Sequence, residues 1–148
     1  MNRLFQHIIS VFPSANSFNI VMLLFRIALS LELIVVHGFK KVGLNVAAAE
    51  KIPNPLQLNE ALNYTFAVSA NLVFPVFVIL GLFTRIAILP ILAVTVTGYF
   101  AVHWNDPLPV KDMPFMYSLS YLLVLVLGPG RYSIDYFIDK KRMGRGAI

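Results

Sequence analysis

One apolar stretch decides the fold of this chain: residues 19–39 read NIVMLLFRIALSLELIVVHGF. Its length matches the ~20 apolar residues with which an α-helix crosses a bilayer. Three similar stretches follow, at residues 61–83, 86–104 and 113–128. The last is the shortest, since sixteen helical residues span only ~24 Å, and a re-entrant segment is the alternative there. We predict one domain, residues 1–148, that is an all-α integral membrane protein with four transmembrane helices in a bundle.

Composition supports a membrane protein. Of the 148 residues, 58% are hydrophobic and 13% are charged, and the mean hydropathy is +0.75. A single domain of this length cannot bury so much apolar surface in its own core, so the excess must face lipid. The net charge of +5 comes from basic residues at span ends and in the C-terminal tail, where lipid headgroups rather than nucleic acid are the expected partner. The chain has no cysteine, which excludes thiol catalysis, disulfides and thiolate metal sites.

The two ends of the chain are predicted to form short amphipathic helices on the membrane surface, and a frayed terminus is the alternative for residues 1–18. Residues 1–18 carry apolar side chains every fourth position, and Ser133 is placed to cap a second helix with an apolar face. The side chains expected to meet the membrane are Leu4, Ile8 and Phe12 at the first end, and Ile134, Phe137 and Ile138 at the second. We find no cleavable signal sequence and expect the first span to remain as an anchor.

The distribution of basic residues predicts the orientation. Four spans place both termini on one side of the membrane, and that side carries seven of the flanking basic residues against four on the other. The seven are Arg3, Arg85, Arg131, Lys140, Lys141, Arg142 and Arg145, and the four are Lys40, Lys41, Lys51 and Lys111. Because basic residues concentrate on the cytoplasmic side, cytoplasmic termini are favoured.

Two charged side chains interrupt the first span. Ionisable groups within the hydrocarbon region usually face protein or water, so they are the first candidates for a ligand site. Arg26 lies near the inner end of its helix and either reaches lipid phosphate or has a structural or binding role. Glu32 lies too deep to reach water easily. Its partner is another helix, a cavity or a ligand, and without one it would be protonated. A neutral hydrogen bond that holds two helices together is the structural alternative.

Asn71, near the middle of the second span, is the candidate partner of Glu32. Pro75 has no N–H, so the carbonyl of Asn71 loses its usual donor within the helix. An open carbonyl beside an amide at mid-membrane depth needs a partner, which Glu32, a water molecule or a ligand would supply. The alternative is a simple proline kink that packs against Ser or Thr.

Polar residues also mark the outer ends of the first and third spans. Thr95, Tyr99 and His103 follow one another at i, i+4 and i+8 and form a stripe, while His37 lies near the end of the first span. Two histidines at similar depth are able to ligate haem or a metal, but interfacial histidines are common and no further liganding motif is present. We therefore predict no metal site and assign no catalytic residue. The candidate ligand-binding residues are Arg26, Glu32, His37, Asn71, Tyr99 and His103.

Three segments in register carry a family resemblance. They are residues 24–41 (LFRIALSLELIVVHGFKK), 81–85 (GLFTR) and 127–135 (LGPGRYSID). Over residues 20–137 the chain resembles the DoxX family of small bacterial membrane proteins. The resemblance implies four transmembrane helices in the bacterial cytoplasmic membrane.

The resemblance also suggests a link to redox chemistry, because the family is named after a subunit of a thiosulfate:quinone oxidoreductase. Most members have no assigned activity, so it transfers no reaction. Family members often carry an acidic residue near the position of Asn71 and small residues at that of Pro75, whereas the acidic residue here is Glu32. Either the carboxylate has moved between helices or the site differs.

Two functions of different classes fit these observations. In the first, the chain is a quinone-interacting subunit of a membrane oxidoreductase system. His37 and His103 would then donate hydrogen bonds to the quinone, Glu32 would relay protons, and a redox-protein partner would supply the electrons. In the second, it is a non-catalytic scaffold or assembly partner. A small-molecule transporter is a weaker alternative, since a pore would require a homo-oligomer.

Overall fold

The computed structural model describes residues 14–145 and confirms the predicted architecture. Within that range the chain is helical without strands, and four helices are long and apolar enough to cross a membrane. The apolar stripe expected at Leu4, Ile8 and Phe12 falls outside the described residues. Its counterpart at the other end is a helix, which we call α6 (Ile134–Arg145).

The first span runs over Ala15–Lys41 and begins four residues earlier than predicted. It consists of α1 (Ala15–Glu32), a π-helical segment (Leu33–Gly38) and the short α2 (Phe39–Lys41). The hydroxyl of Ser14 accepts a hydrogen bond from the backbone N–H of Ser17 at 3.1 Å and caps α1. This N-cap explains the earlier start, because it satisfies a donor that would otherwise be free at the helix end.

The remaining spans follow in antiparallel order. They are α3 (Glu60–Leu80), α4 (Thr84–Thr97) with a π-helical continuation (Gly98–Val102), and α5 (Leu108–Leu127). The fourth span begins five residues before the predicted Met113. With 20 residues it extends over ~30 Å, which is the thickness of the hydrocarbon core. The helix starts so early because prolines are tolerated in a first helical turn, where their missing N–H is not needed.

Successive spans pack against each other, and the fourth returns to the first. Two hydrogen bonds hold these contacts at mid-bundle. The fully buried Tyr121 donates its hydroxyl to Ser30 at 3.3 Å, and Ser118 donates to Thr95 at 2.8 Å. The apolar core around them comprises Met22, Leu33, Val78, Ala87, Ile88, Ile91, Tyr121 and Val124.

One end of the bundle is closed by polar contacts; we call it the clasp end and define it by residues 81–85 and 128–135. Asp135 accepts hydrogen bonds from the backbone N–H groups of Phe83 (2.7 Å) and Thr84 (2.9 Å) and so caps α4. Arg26, only 1% exposed, donates to the carbonyls of Val78 and Tyr132. The turns at residues 81–85 and 128–135, which carry two of the family-like motifs, therefore contact each other at the end of the bundle where Arg26 is buried.

Candidate functional site

A cavity of about 670 Å³ occupies the opposite end of the bundle. We call this the loop end, because it carries the connections formed by residues 42–59 and 103–107. All four spans contribute to the lining, so the cavity is central to the bundle. Its volume lies within the range of roughly 300–1,000 Å³ that is usual for small-molecule sites.

The connection between the first two spans covers the cavity. Ile52, Pro53 and Leu56 belong to its lining. The amide of Asn63, in α3, donates to the carbonyl of Pro53 at 3.1 Å and ties the connection to the second span. The connection therefore forms part of the cavity wall at the loop end.

The walls are largely apolar, with polar side chains at two levels. The loop-end level lies beside the connections, and the deeper level lies further along the spans toward the middle of the bundle. The polar lining residues are Lys41, Glu50, Asn63 and His103 at the loop end, and His37, Asn71, Thr95, Thr97 and Tyr117 further in. An apolar enclosure with a few placed polar groups is typical of sites that bind small organic molecules.

Both π-helical segments border this cavity. Leu33 and His37 come from the first, and Gly98 and Val102 come from the second. The backbone N–H of His103 donates to the carbonyl of Gly98 at 2.9 Å, which is the i→i+5 bond of a π turn. Such turns are frequent at functional sites, because the extra residue redirects the side chains that follow it.

His37 is the most distinctive polar group in the cavity. Its ring packs edge-on against Tyr117, with ring centroids 5.3 Å apart. The Nε2 atom is buried and finds no hydrogen-bond partner among residues 14–145. A buried polar atom without a partner requires an explanation, and His37 is at the same time a lining residue of a cavity large enough for a small organic ligand.

Asn71 lies in the cavity wall and is 4% exposed. Its amide donates to the carbonyl of Ala67 at 2.7 Å, one turn earlier in the same helix. Pro75, four residues later, is buried within α3. A Cβ atom on Gly38 would lie only 2.7 Å from the backbone oxygen of Asn71. The carbonyl freed by the proline is therefore covered by a glycine, which alone fits there.

Glu32 does not take the expected position. It is exposed on the surface of the bundle, lies outside the cavity lining and has no hydrogen-bond partner in the described part of the chain. The Glu32–Asn71 pair suggested by the sequence is not formed. The reason is helical geometry, since the next residue, Leu33, is 2% exposed and faces the core, and each residue turns the helix by about 100°.

Arg26 and Tyr99 also lie outside the cavity lining. Arg26 is held at the clasp end, which favours its structural role over contact with lipid phosphate. Tyr99 follows the start of the second π segment and packs against Phe115, with ring centroids 5.8 Å apart. The predicted polar stripe is consequently split, because Thr95 and His103 line the cavity and Tyr99 does not.

His103 lies at the loop-end mouth. Its Nδ1 is 2.7 Å from a carboxylate oxygen of Asp106. Across the described residues, no three His, Asp or Glu side chains come together in a group that could hold a metal ion. Tyr117, Lys41 and Glu50 were missed as lining residues, although Tyr117 is a polar group within a predicted span and shares that signal with Asn71.

Comparison with known proteins places the chain in a family. The DoxX family model matches residues 21–104, which include His37, Asn71 and His103. A protein of Haemophilus influenzae described as uncharacterized is 27% identical over 96 residues, which cover 62% of this chain and 64% of that protein. The match thus spans less than two thirds of the relative's length. No solved structure gives a significant match. The chain is a multi-pass membrane protein that belongs to the DoxX family.

Proposed function

We propose that this protein binds a quinone in the loop-end cavity and serves a membrane oxidoreductase system. The observation that carries the proposal is His37, which lines a largely apolar cavity of about 670 Å³ and whose buried Nε2 has no hydrogen-bond partner among the described residues. A quinone ring is apolar and carries two carbonyl oxygens that only accept hydrogen bonds. A site for it therefore needs apolar walls and a donor, and a neutral imidazole protonated on Nε2 is such a donor.

The residues around His37 fit the same ligand. Leu33, Phe66 and Val94 supply apolar surface from three spans, and the T-shaped contact with Tyr117 restricts the orientation of the imidazole. The amide oxygen of Asn71 receives no hydrogen bond within the described residues and can accept one from a hydroxyl of the reduced ligand. A quinone supplies reversible transfer of two electrons and two protons, and the protein supplies orientation and hydrogen bonds.

The bound quinone would exchange protons and electrons with different donors. Glu32 lies outside the cavity, so we assign proton exchange to the loop-end mouth, where the His103–Asp106 pair adjoins solvent-exposed residues. No redox centre is evident in the sequence, and the electrons would come from a redox-protein partner. With the termini in the cytoplasm of a bacterium, this mouth would open on the periplasmic side of the cytoplasmic membrane.

The test measures quinone in protein purified in mild detergent, by solvent extraction and mass spectrometry. His37→Phe preserves an aromatic ring against Tyr117 but removes both ring nitrogens. We expect near-stoichiometric quinone in the wild type and at least about a tenfold loss in this variant, since a lost hydrogen bond to a buried donor site weakens binding by ~1.4 kcal/mol or more. Tyr99→Phe, outside the cavity, is the matched control and should retain quinone.

Two outcomes would contradict the proposal. One is a wild-type protein that remains empty and gains no thermal stability when quinone is added. The other is a His37→Phe variant that keeps its quinone. Either result would favour the second candidate, a non-catalytic assembly role, for which the specific observation is Glu32 on the lipid-facing surface. A polar group at that position would be satisfied by contact with another transmembrane helix.

A further inference from the structure

The reduced form of the proposed ligand needs hydrogen-bond partners that the oxidised form does not. Reduction of a quinone adds two electrons and two protons and converts each carbonyl oxygen, which only accepts, into a hydroxyl group, which also donates. A site that binds both forms therefore needs a donor and an acceptor beside each oxygen. The deeper level of the cavity has both, in the imidazole of His37 and the amide oxygen of Asn71. Gly38, next to His37, packs against the backbone of Asn71, which places the two side chains at a similar depth.

A second donor and acceptor lie together at the loop-end level. Lys41 and Glu50 both line the cavity, and the backbone N–H of Glu50 donates to the carbonyl of Lys40 at 2.9 Å. This hydrogen bond closes the loop formed by the intervening residues and holds Glu50 at the depth of Lys41. An ammonium group only donates hydrogen bonds and a carboxylate only accepts them. Together they supply the partners of an oxygen that alternates between a carbonyl and a hydroxyl group.

Lys41 is not neutralised by an ion pair with another side chain. All seven Asp and Glu residues of the sequence lie within the described residues 14–145. The ion pair formed among those residues is the one between His103 and Asp106. Lys41 and Glu50 are therefore neighbours at the cavity mouth that do not bind each other directly. The partly buried amine of Lys41 is available to an oxygen atom placed in the cavity.

The two levels are spaced for the two oxygens of one ring. His37 and Lys41 are four positions apart in the first span, and side chains at this spacing share a helix face with roughly 5–6 Å between their Cβ atoms. The para oxygens of a quinone are separated by a similar distance, across one six-membered ring. We propose that Lys41 and Glu50 bind the second oxygen, and that the cavity holds a para-quinone in both its oxidised and its reduced state. This inference rests on the proposed function and adds to it the class of quinone and the groups that distinguish its two states.

The test compares the affinities of the full-length protein in detergent for decylubiquinone and decylubiquinol, by equilibrium dialysis without oxygen. In Glu50→Leu we expect the affinity for the quinol to fall about tenfold and that for the quinone by less than about twofold, because only a hydroxyl group donates to the carboxylate. A tenfold change in this ratio lowers the midpoint potential of the bound two-electron couple by ~30 mV. In Lys41→Met the quinone should lose more affinity than the quinol, since a carbonyl oxygen is the stronger acceptor, and the potential should rise.

Conservative variants and surface controls separate a role in binding from a structural one. Glu50→Gln keeps an acceptor and Lys41→Arg keeps a donor, so both should preserve the wild-type ratio of the two affinities. Lys40→Met and Glu60→Leu remove exposed charges outside the cavity lining and should leave both affinities unchanged. Opposite shifts of the potential do not arise from general destabilisation, which weakens both forms alike.

The outcomes distinguish this inference from the function on which it rests. A wild-type protein that binds quinone, with Glu50→Leu and Lys41→Met variants that leave the ratio unchanged or shift it in the same direction, would overturn the inference and leave the proposed function standing. A wild-type protein that binds neither decylubiquinone nor decylubiquinol would contradict the proposed function, and the inference with it.

Discussion

The carboxylate of Asp135 receives two hydrogen bonds from Thr84, one from its backbone N–H at 2.9 Å and one from its hydroxyl at 2.7 Å. The two residues are 51 positions apart and belong to the two turns at the clasp end. In the reverse direction, the backbone N–H of Asp135 donates to the carbonyl of Gly81 at 2.8 Å. These contacts join the start of α6 to the turn between the second and third spans.

Removal of this carboxylate should destabilise the bundle. In Asp135→Ala, the N–H groups of Phe83 and Thr84 at the start of α4 lose their acceptor. We expect a loss of about 1–2 kcal/mol in the free energy of unfolding, as for other N-cap substitutions. The measurement is thermal or denaturant unfolding in detergent. Asp139, like Asp135, belongs to α6, and its side chain is exposed. Asp139→Ala is therefore the control and should leave the stability unchanged. Equal stability of the two variants would mean that the cap contributes little.

Asn19 and Asn16 allow a second comparison at the clasp end. The side-chain oxygen of Asn19, 6% exposed, accepts from the backbone N–H of Arg131 at 2.7 Å. Asn16 accepts from the hydroxyl of Tyr132 at 3.2 Å on an exposed surface. Asn19→Ala should cost about 1–3 kcal/mol, because it leaves a partly buried N–H unsatisfied. Asn16→Ala should cost much less, since water replaces its contact. The reverse order of stabilities would show that the turn is not held by Asn19.

The spans were predictable from the sequence because hydropathy is a local property. The start of the fourth span was missed since Lys111, Asp112 and Pro109 interrupt the apolar pattern, although a helix tolerates all three near its N-terminus. His37, Asn71 and His103 were identified as candidates because polar groups within spans are rare, and all three line the cavity.

The orientation of the other candidates was not predictable in this way. Tyr99 is turned from the cavity by a π turn that begins at Gly98, and such a turn has no periodic signal in the sequence. Arg26 is buried because the chain after the fourth span folds back beneath it, and a single sequence does not reveal a contact over 106 positions. The outward face of Glu32 follows from packing against the neighbouring spans, which hydropathy does not specify.

Gly38 and Gly98 should respond differently to the same substitution. Each lies in a π-helical segment. In Gly38→Ala the new methyl group would lie 2.7 Å from the carbonyl oxygen of Asn71, whereas in Gly98→Ala its nearest neighbour is the Cβ of Pro114 at 3.7 Å. We expect the first variant to lose about 1–3 kcal/mol of stability, because the first and second spans must separate. The second should remain within about 0.5 kcal/mol of the wild type. Unfolding in detergent measures both.

Filling the cavity should prevent ligand binding without altering any polar group. Ala67 is 6% exposed and lines the cavity from the second span. Ala67→Phe would place a ring in space that a quinone would otherwise occupy. We expect at least about a tenfold reduction in co-purified quinone, equivalent to ~1.4 kcal/mol of binding free energy, while the thermal stability of ligand-free protein is maintained. Ala101→Phe adds the same side chain at an exposed position outside the cavity and should bind quinone normally. If Ala67→Phe retained its quinone, the ligand would bind elsewhere on the protein, and His37 would no longer be its donor.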